Sequence, residues 1–580
     1  MKKLKYIFIG GLLATTVSCT KGFLDINTSP NQPSKVTLTQ LLSTTEQGLA
    51  YSMGFSASSA RGAVGLTEVL AVYMHQVTVR ESQDQYGATG DEFNINNCWS
   101  QFYSSQSTST EILGFLENCE VMIRQGDQSG NAIYAGIGRV MKAYGLSQFV
   151  DVFADVPFSE ANKFSTTGVR YPKFDKGQDI YPELLKMLDT AITNLNDASA
   201  ANTLTPEADD VFYNGDTEKW TKLANTIKLK LYAQQRLVTD VSAQVNALLS
   251  SGNLISSTEE SWMMNYSSNI SPDDRNPGFN DYYATQRSHY MSPWFYEILK
   301  GYNKNIFTGI EDPRIPYYFY NQNTRTGRAQ NRTDYRDSAF ISILFGSQGP
   351  GRDGSQDRSM TVFGIYPVGG RFDDNYLNRT NNPVVVSSST ASGAAPLRLL
   401  TYADVLYIKA ELQNVGIVAG DARATLQQAM DESFKMVDFV VNRANRGQNI
   451  PVLAGSATVQ NYTNKILGVY DARNAAGKLE VIMTQKWIQS FGFSCDQYTD
   501  YRRTGYPVLF NPNDPSMAPA GLFQPPVLGD PSIAGQQPAV KVALGRNYPL
   551  SLPWPSSELN VNSNAPAQKT PDSYPVFWDK

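Results

Sequence analysis

Residues 217–237 read TEKWTKLANTIKLKLYAQQRL. Trp220, Leu223, Ile227 and Leu231 recur three and four apart, which puts them on one face of a helix. The spacing Trp220-x-x-Leu223-Ala224-x-x-Ile227 also fits the first helix of a tetratricopeptide repeat. A second, degenerate copy lies downstream. There Leu406, Ala410, Ala422, Leu426 and Ala429 occupy the small and apolar positions that pack the two helices of a pair together. The expected fold is mainly α, a tetratricopeptide-like scaffold of helical hairpins.

The helical pattern spreads outward from there. Upstream, Thr37-Leu38-Thr39-Gln40 is a capping box that leads Leu38, Leu41, Leu42 and Leu49 at helical spacing. Residues 61–80 and 98–125 also read as helical. Ile133, Ile137, Val140, Met141 and Tyr144 share a face of a helix that runs towards Phe149 and stops near Pro157, which cannot continue it. Residues 179–195 repeat the pattern through Leu184, Leu188, Ile192 and Leu195, with Pro182 expected in the first turn. Downstream, helices are expected over 401–418, 421–444 and 478–493.

Between these blocks the texture changes. Over 253–396 Gly, Asn, Asp and aromatics replace the periodic apolar residues, as in Asn280-Asp281-Tyr282-Tyr283 and Tyr317-Tyr318-Phe319-Tyr320. Positions 262 to 376 hold 22 aromatic residues, where an even spread of the chain's 66 would put about 13. That excess argues against disorder, because disordered segments are poor in aromatics. A long loop-rich insertion in a helical protein then points to function. The last 74 residues carry 14 of the 30 prolines and predict an irregular tail laid over the helical body.

The chain begins MKKLKYIFIGGLLATTVSCTKGFLDIN. Lys2, Lys3 and Lys5 precede an apolar run over 4–17, well short of the roughly 20 residues that span a bilayer. The run ends at Thr16-Val17-Ser18, and Cys19 follows. A charged start, a short apolar run and small residues before a cysteine predict a lipoprotein signal, removed before a lipidated Cys19. Thr16 stands where an aliphatic residue is usual. The mature chain would keep 562 of 580 residues, enough for more than one subdomain.

Composition excludes several functions. The net charge is −5 and no long basic run occurs, so nucleic acid is not an expected partner. His75 and His289 are the two histidines, and no Cys-x-x-Cys or His-x-x-x-His spacing is present, so neither a metal nor a cofactor is expected. Cys98, Cys119 and Cys495 are odd in number and read as small buried side chains. There is no Gly-x-Ser-x-Gly, P-loop or His-Glu-x-x-His motif. Residues 349–354, GPGRDG, match a dinucleotide fingerprint by letters alone, because no helical pattern follows to offer its N-terminus to phosphate. Asp273-Asp274 and Asp373-Asp374 could serve glycoside hydrolysis or calcium. They lack calcium-loop spacing and read as solvated turns. A binding protein is expected, with a surface glycan-cleaving enzyme as the remote alternative.

Sugars present flat C–H patches between hydroxyls. Tyr and Trp match them with a rigid face and a polar handle, and Asn, Asp, Gln and Arg bridge neighbouring hydroxyls. Segments 84–99, 279–296 and 317–335 combine both kinds. The candidate ligand residues are Tyr86 and Trp99 in the first, Asn280, Tyr282, Tyr283, Arg287, His289 and Tyr290 in the second, and Tyr320 and Tyr335 in the third. The competing reading places Trp99, Trp294 and Tyr296 in the core and makes His289 a structural histidine.

Four further stretches occur in order along the chain. They are Cys19-Thr-Lys-Gly-Phe-Leu-Asp-Ile-Asn27, Phe149-Val-Asp-Val-Phe-Ala-Asp-Val-Pro-Phe-Ser-Glu-Ala161, Leu400-Thr-Tyr-Ala-Asp-Val-Leu-Tyr-Ile-Lys-Ala-Glu411 and Asp500-Tyr-Arg-Arg-Thr-Gly-Tyr-Pro507. Arg546-Asn-Tyr-Pro549 and Glu558-Leu-Asn560 follow. Together they resemble the SusD/RagB family of surface lipoproteins, with Ala154 where that family usually has glycine. The resemblance implies an outer-membrane lipoprotein anchored through Cys19 that acts as the lid of a SusC-like TonB-dependent transporter. It implies an oligosaccharide ligand, or a peptide in some members. It also implies that Asp500, Arg502 and Arg503 tie the tail to the helices. The organisation expected is a signal peptide over 1–18, a lipidated tether over 19–36 and helical scaffold over 37–252 and 397–506. A ligand-binding region over 253–396 and a packed tail over 507–580 complete it.

Overall fold

The computed structural model describes residues 36–55, 64–79, 84–103, 114–284, 289–323, 334–346, 359–374, 384–517, 519 and 546–579. The signal, Cys19, Arg287 and the 349–354 loop lie outside these residues. The described chain is mainly helical.

The first run of helices is α1 (Leu38–Met53), α2 (Leu66–Tyr73), α3 (Gln85–Thr89), α4 (Glu92–Tyr103), α5 (Phe115–Ser129), α6 (Ala132–Phe153), α7 (Gly177–Leu195), α8 (Thr217–Gln235) and α9 (Ser242–Ser251). Thr37 and Gln40 close the predicted capping box on α1. Helix α6 is buried almost end to end, because its apolar residues are not confined to one stripe. It packs against α5, α7 and α8 and forms the axis of this half. Trp220, Leu223, Ile227 and Leu231 of α8 are fully buried, and the Trp220 indole donates to Asp210 Oδ2 at 2.7 Å.

The second run is α10 (Pro293–Lys300), α11 (Tyr402–Asn414), α12 (Ala422–Ala444), α13 (Ala457–Asp471), α14 (Ala475–Gln489) and α15 (Cys495–Thr504). Thr401 and Asp404 form a second capping box on α11. Helix α8 touches both α6 and α11 and so joins the two runs.

Three expectations are corrected. Residues 61–80 are not one helix: α2 ends at Tyr73 and the β-branched Val77-Thr78-Val79 become a strand. Pro182 sits in the sixth position of α7, because Asp155 Oδ1 accepts the Gly177 amide at 3.1 Å and starts the helix early. Helices α10, α13 and α15 are absent from the sequence reading: α10 is short and α15 strongly polar, whereas α13 does carry Val459, Tyr462, Ile466, Leu467 and Tyr470 at helical spacing.

The strands pair only in twos, all antiparallel. They are β1 (Val77–Val79) with β5 (His289–Met291), β2 (Val156–Pro157) with β3 (Phe174–Asp175) and β4 (Trp262–Met264) with β10 (Leu397–Leu400). Strands β6 (Phe319–Tyr320) and β9 (Val362–Phe363) pair, as do β7 (Asp334–Asp337) and β8 (Phe340–Ile343). The β4–β10 pair sets Leu397 opposite Met264, so the loop-rich excursion leaves and rejoins the scaffold at one place. One continuous apolar core nevertheless runs through scaffold, excursion and tail.

The scaffold also buries charge. Glu411 is paired with Arg503 and, at 2.7 Å, with Arg236. Lys486 meets Asp500 at 2.7 Å, and Lys230 meets Asp496 at 3.1 Å. Burial alone pushes the Glu411 carboxyl up, but Arg503 and Arg236 outweigh it and hold the group at about 2. Of the three residues expected to tie down the tail, Arg502 does so, donating to the Leu550 carbonyl at 2.6 Å. Arg503 and Asp500 bond within the scaffold instead, because Glu411 and Lys486 are nearer partners.

The tail packs on the end of α6. The Leu552 amide reaches the Val152 carbonyl at 2.8 Å, and the Trp578 indole reaches Asp151 Oδ1 at 2.9 Å. Ala154 holds φ 67° and ψ −80°, a strained conformation for a side-chain-bearing residue. That explains why glycine is usual at this position in the motif.

Candidate functional site

The fold joins two of the predicted ligand segments directly. Strand pair β1–β5 sets Thr78 opposite Tyr290 and Val79 opposite His289. Asp84 caps α3 by accepting the Gly87 amide at 3.0 Å and pairs with Arg546 of the tail at 3.0 Å. The turn at 280–284 then leads back to β9 through Tyr282 and Tyr283, and β6–β9 brings in the third segment.

The described candidate side chains lie in the interior rather than on an open face. Tyr86 is 3% exposed; its hydroxyl meets His75 Nε2 at 2.9 Å, and its ring lies edge-on to Tyr73 at 5.3 Å. Tyr282 is fully buried with its ring 4.3 Å from Phe363. Tyr283 stacks on Phe279 at 4.6 Å, donates to the Phe363 carbonyl at 2.7 Å and accepts the Arg371 amide at 2.9 Å. Tyr320 donates to the Val384 carbonyl at 3.0 Å, and Tyr335 to Glu297 Oε1 at 2.8 Å. Asn280 donates to Asp273 Oδ2 at 3.1 Å, and Tyr290 is buried. The expected open ring faces are therefore corrected to packed ones. A tyrosine's flat face and polar handle fit a protein core with unpaired backbone carbonyls as well as they fit a sugar.

His289 is buried, and desolvation lowers its imidazole to about 4, so it is neutral at physiological pH. His75 is lowered to about 3 for the same reason. Of the carboxylate pairs, Asp274 is exposed as expected, whereas Asp373 and Asp273 are held by partners. Asp373 is buried and accepts the Asn321 side-chain amide at 2.6 Å. Asp273 forms a two-point pair with Arg275, both contacts at 2.9 Å, which holds its carboxyl below the usual range. Among the described residues no group of three His, Cys, Asp or Glu is placed to hold a metal.

Open space meets a predicted residue at Trp99. A cavity of about 270 Å³ is lined by Trp99, Tyr103, Asn162, Arg170, Tyr171 and Glu558. Trp99 itself is 3% exposed, wedged 4.6 Å from Tyr103 and 5.2 Å from Phe153. The accessible ring is Tyr171, 41% exposed, and Arg170 lies 5.5 Å from the exposed ring of Phe164. Aromatic faces beside a guanidinium, an amide and a carboxylate can cover a C–H patch and bridge hydroxyls. Sequence reading missed Arg170, Tyr171 and Glu558. The one available signal was Arg170-Tyr171-Pro172 in a polar stretch, and nothing in the sequence showed that the tail returns beside it.

The family model described as "Starch-binding associating with outer membrane" matches residues 30–521. This chain belongs to that SusD-like family. Solved structures agree in fold. One described as a chitin-binding protein is 20% identical, covering 91% of this chain and 95% of its own, with a TM-score of 0.57. A SusD/RagB family protein from Bacteroides thetaiotaomicron is 20% identical, with coverage of 94% and 99% and a TM-score of 0.59. A SusD-like protein from Bacteroidetes is 16% identical, with coverage of 94% and 100% and a TM-score of 0.62. No curated protein matches the chain in sequence. Among the described residues no helix is long and apolar enough to cross a membrane.

Proposed function

We propose that this SusD-like chain is a cell-surface lipoprotein, held to the outer membrane through Cys19, that captures oligosaccharide and closes as a lid on a SusC-like TonB-dependent transporter. The match to a starch-binding, outer-membrane-associated family over 30–521 carries the reading. A structural relative described as chitin-binding supports the ligand class. In this reading capture is by binding, with no covalent step. The helical scaffold faces the transporter, and the buried tyrosines of 253–396 hold the shape of the ligand-facing surface. The cleft beside Trp99, with Tyr171 and Arg170, is offered as one point of contact.

Native gels cast with soluble starch or glycol chitin test it on the protein beginning at Thr20. Retardation by one polysaccharide, with intact polymer after prolonged incubation, is the expected result. Free migration in every glycan gel together with binding of a peptide digest would replace the ligand class. Shortened polymer would replace capture by catalysis.

A further inference from the structure

Helix α1 is joined by buried polar contacts to the loop over 207–216, which leads into α8. Ser43 donates to the Asp209 carbonyl at 2.8 Å. One turn on, Glu46 is fully buried, and its Oε2 accepts the Val211 amide at 2.8 Å. Its Oε1 is buried and has no donor among the described residues, an uncommon state for a buried polar atom. The Asp210 side chain stands within hydrogen-bond reach of this carboxyl.

Asp210 is 2% exposed, and its oxygens are already filled. Oδ1 accepts the Phe212 and Tyr213 amides, both at 3.0 Å. Oδ2 accepts the Gly215 amide at 2.8 Å and the Trp220 indole at 2.7 Å. Four N–H donors favour the charged form of a carboxylate, and Glu46 has one. Two buried carboxylates in such proximity do not both ionise, and the one with fewer donors keeps the proton. Burial first, and then the Asp210 charge, push the Glu46 carboxyl well above its usual range.

The surrounding charges leave a proton as the neutralising ion. Asp209 adds negative charge, with its Oδ2 accepting from Tyr134 of α6 at 2.7 Å. The cations of α6 are taken by α5, Arg139 by Asp127 at 2.6 Å and Lys142 by Glu120. Arg124 of α5 lies off the buried face of that helix. At the start of α8, Lys222 pairs with Glu260 at 2.6 Å, and Lys219 lies over the Tyr213 ring. Glu92 of α4 is bonded to Ser556 of the tail, and Glu68 of α2 acts on Cys98. Among the described residues no three acids are placed to hold a metal ion.

We propose that Glu46 carries a proton and Asp210 the charge, so that one shared proton clasps α1 to the 207–216 loop and the start of α8, and that losing this proton opens the clasp. The direction follows from linkage. An unfolded carboxyl releases its proton near 4.5, so the contribution of the clasp is complete below pH 4.5 and is lost as pH rises through the raised folded value.

Two measurements on the chain beginning at Thr20 and on Glu46→Gln test this. The amide keeps an acceptor for Val211 and gains a donor for Asp210, so the variant should fold. Infrared spectra at pH 7 should show a protonated carboxylic acid band in the native chain that Glu46→Gln lacks. Hydrogen exchange of the 207–216 segment, read by mass spectrometry and corrected for the intrinsic rate, should report at least tenfold more opening at pH 9 than at pH 6 in the native chain and no such rise in Glu46→Gln. Identical acid bands in the two proteins, or an equal response of the segment to pH in both, would overturn the proposal.

Discussion

The helical scaffold and the loop-rich excursion bury polar groups by different chemistry. Scaffold helices satisfy their own backbone, so the side chains between them are free to pair charges, as Glu411 does with Arg503 and Arg236. The excursion has short strands and turns, and many of its carbonyls need outside donors. Tyrosine hydroxyls supply them: Tyr283 to Phe363, Tyr320 to Val384 and Tyr317 to Pro451. The excess of aromatics over 253–396 is therefore in part a structural requirement. It marks where irregular chain is packed into a core, and it does not by itself mark where ligand sits.

The largest effect is expected at Glu411. Glu411→Ala strips the buried Arg236 of this carboxylate and leaves Arg503 with Asp500 alone, and should cost about 3–5 kcal/mol, read from denaturant midpoints. A cost below about 1 kcal/mol would mean that the network is solvated. The same group sets an acid limit. Its folded carboxyl titrates at about 2 against an ordinary 4.5, so its contribution is present above pH 4.5 and is lost as pH falls towards 2. Glu411→Gln should flatten stability over that window.

In the excursion, Tyr283→Phe strips the donor from the buried Phe363 carbonyl and should cost about 1–3 kcal/mol while leaving glycan affinity unchanged. Lost affinity with full stability would restore Tyr283 as a ligand contact. At the junction with the tail, Ala154→Gly should raise stability by about 1 kcal/mol by relieving the positive φ, and a lower melting temperature would count against the strain. The smallest expected effect is at His289. Its lowered value confines its titration to acid, so its ring NMR signals should stay flat from pH 8 to 5.5, and a midpoint near 6.5 would place it in solvent.

These regions also differed in how much their sequence disclosed. The faces of α7, α8 and α12 follow one period, and a period survives whatever packs against it. The predicted capping box and helix stop needed only local residues: Thr37 with Gln40, and Pro157 beyond α6. The sites depend on distant chain. Whether Tyr86 is platform or core is decided by His75, Phe345 and Tyr548, up to hundreds of residues away. The Trp99 cleft needs Glu558 from the tail.

The most direct test of ligand capture beside Trp99 is calorimetric titration of starch and chitin oligosaccharides into the native protein and into Tyr171→Ala. Saturable heat from a glycan is expected in the native protein, with an affinity about tenfold lower in the variant, the loss of one exposed stacking face. Glycan affinity that is identical in both proteins would contradict the placement of the contact, and heat from peptides alone would contradict the glycan itself.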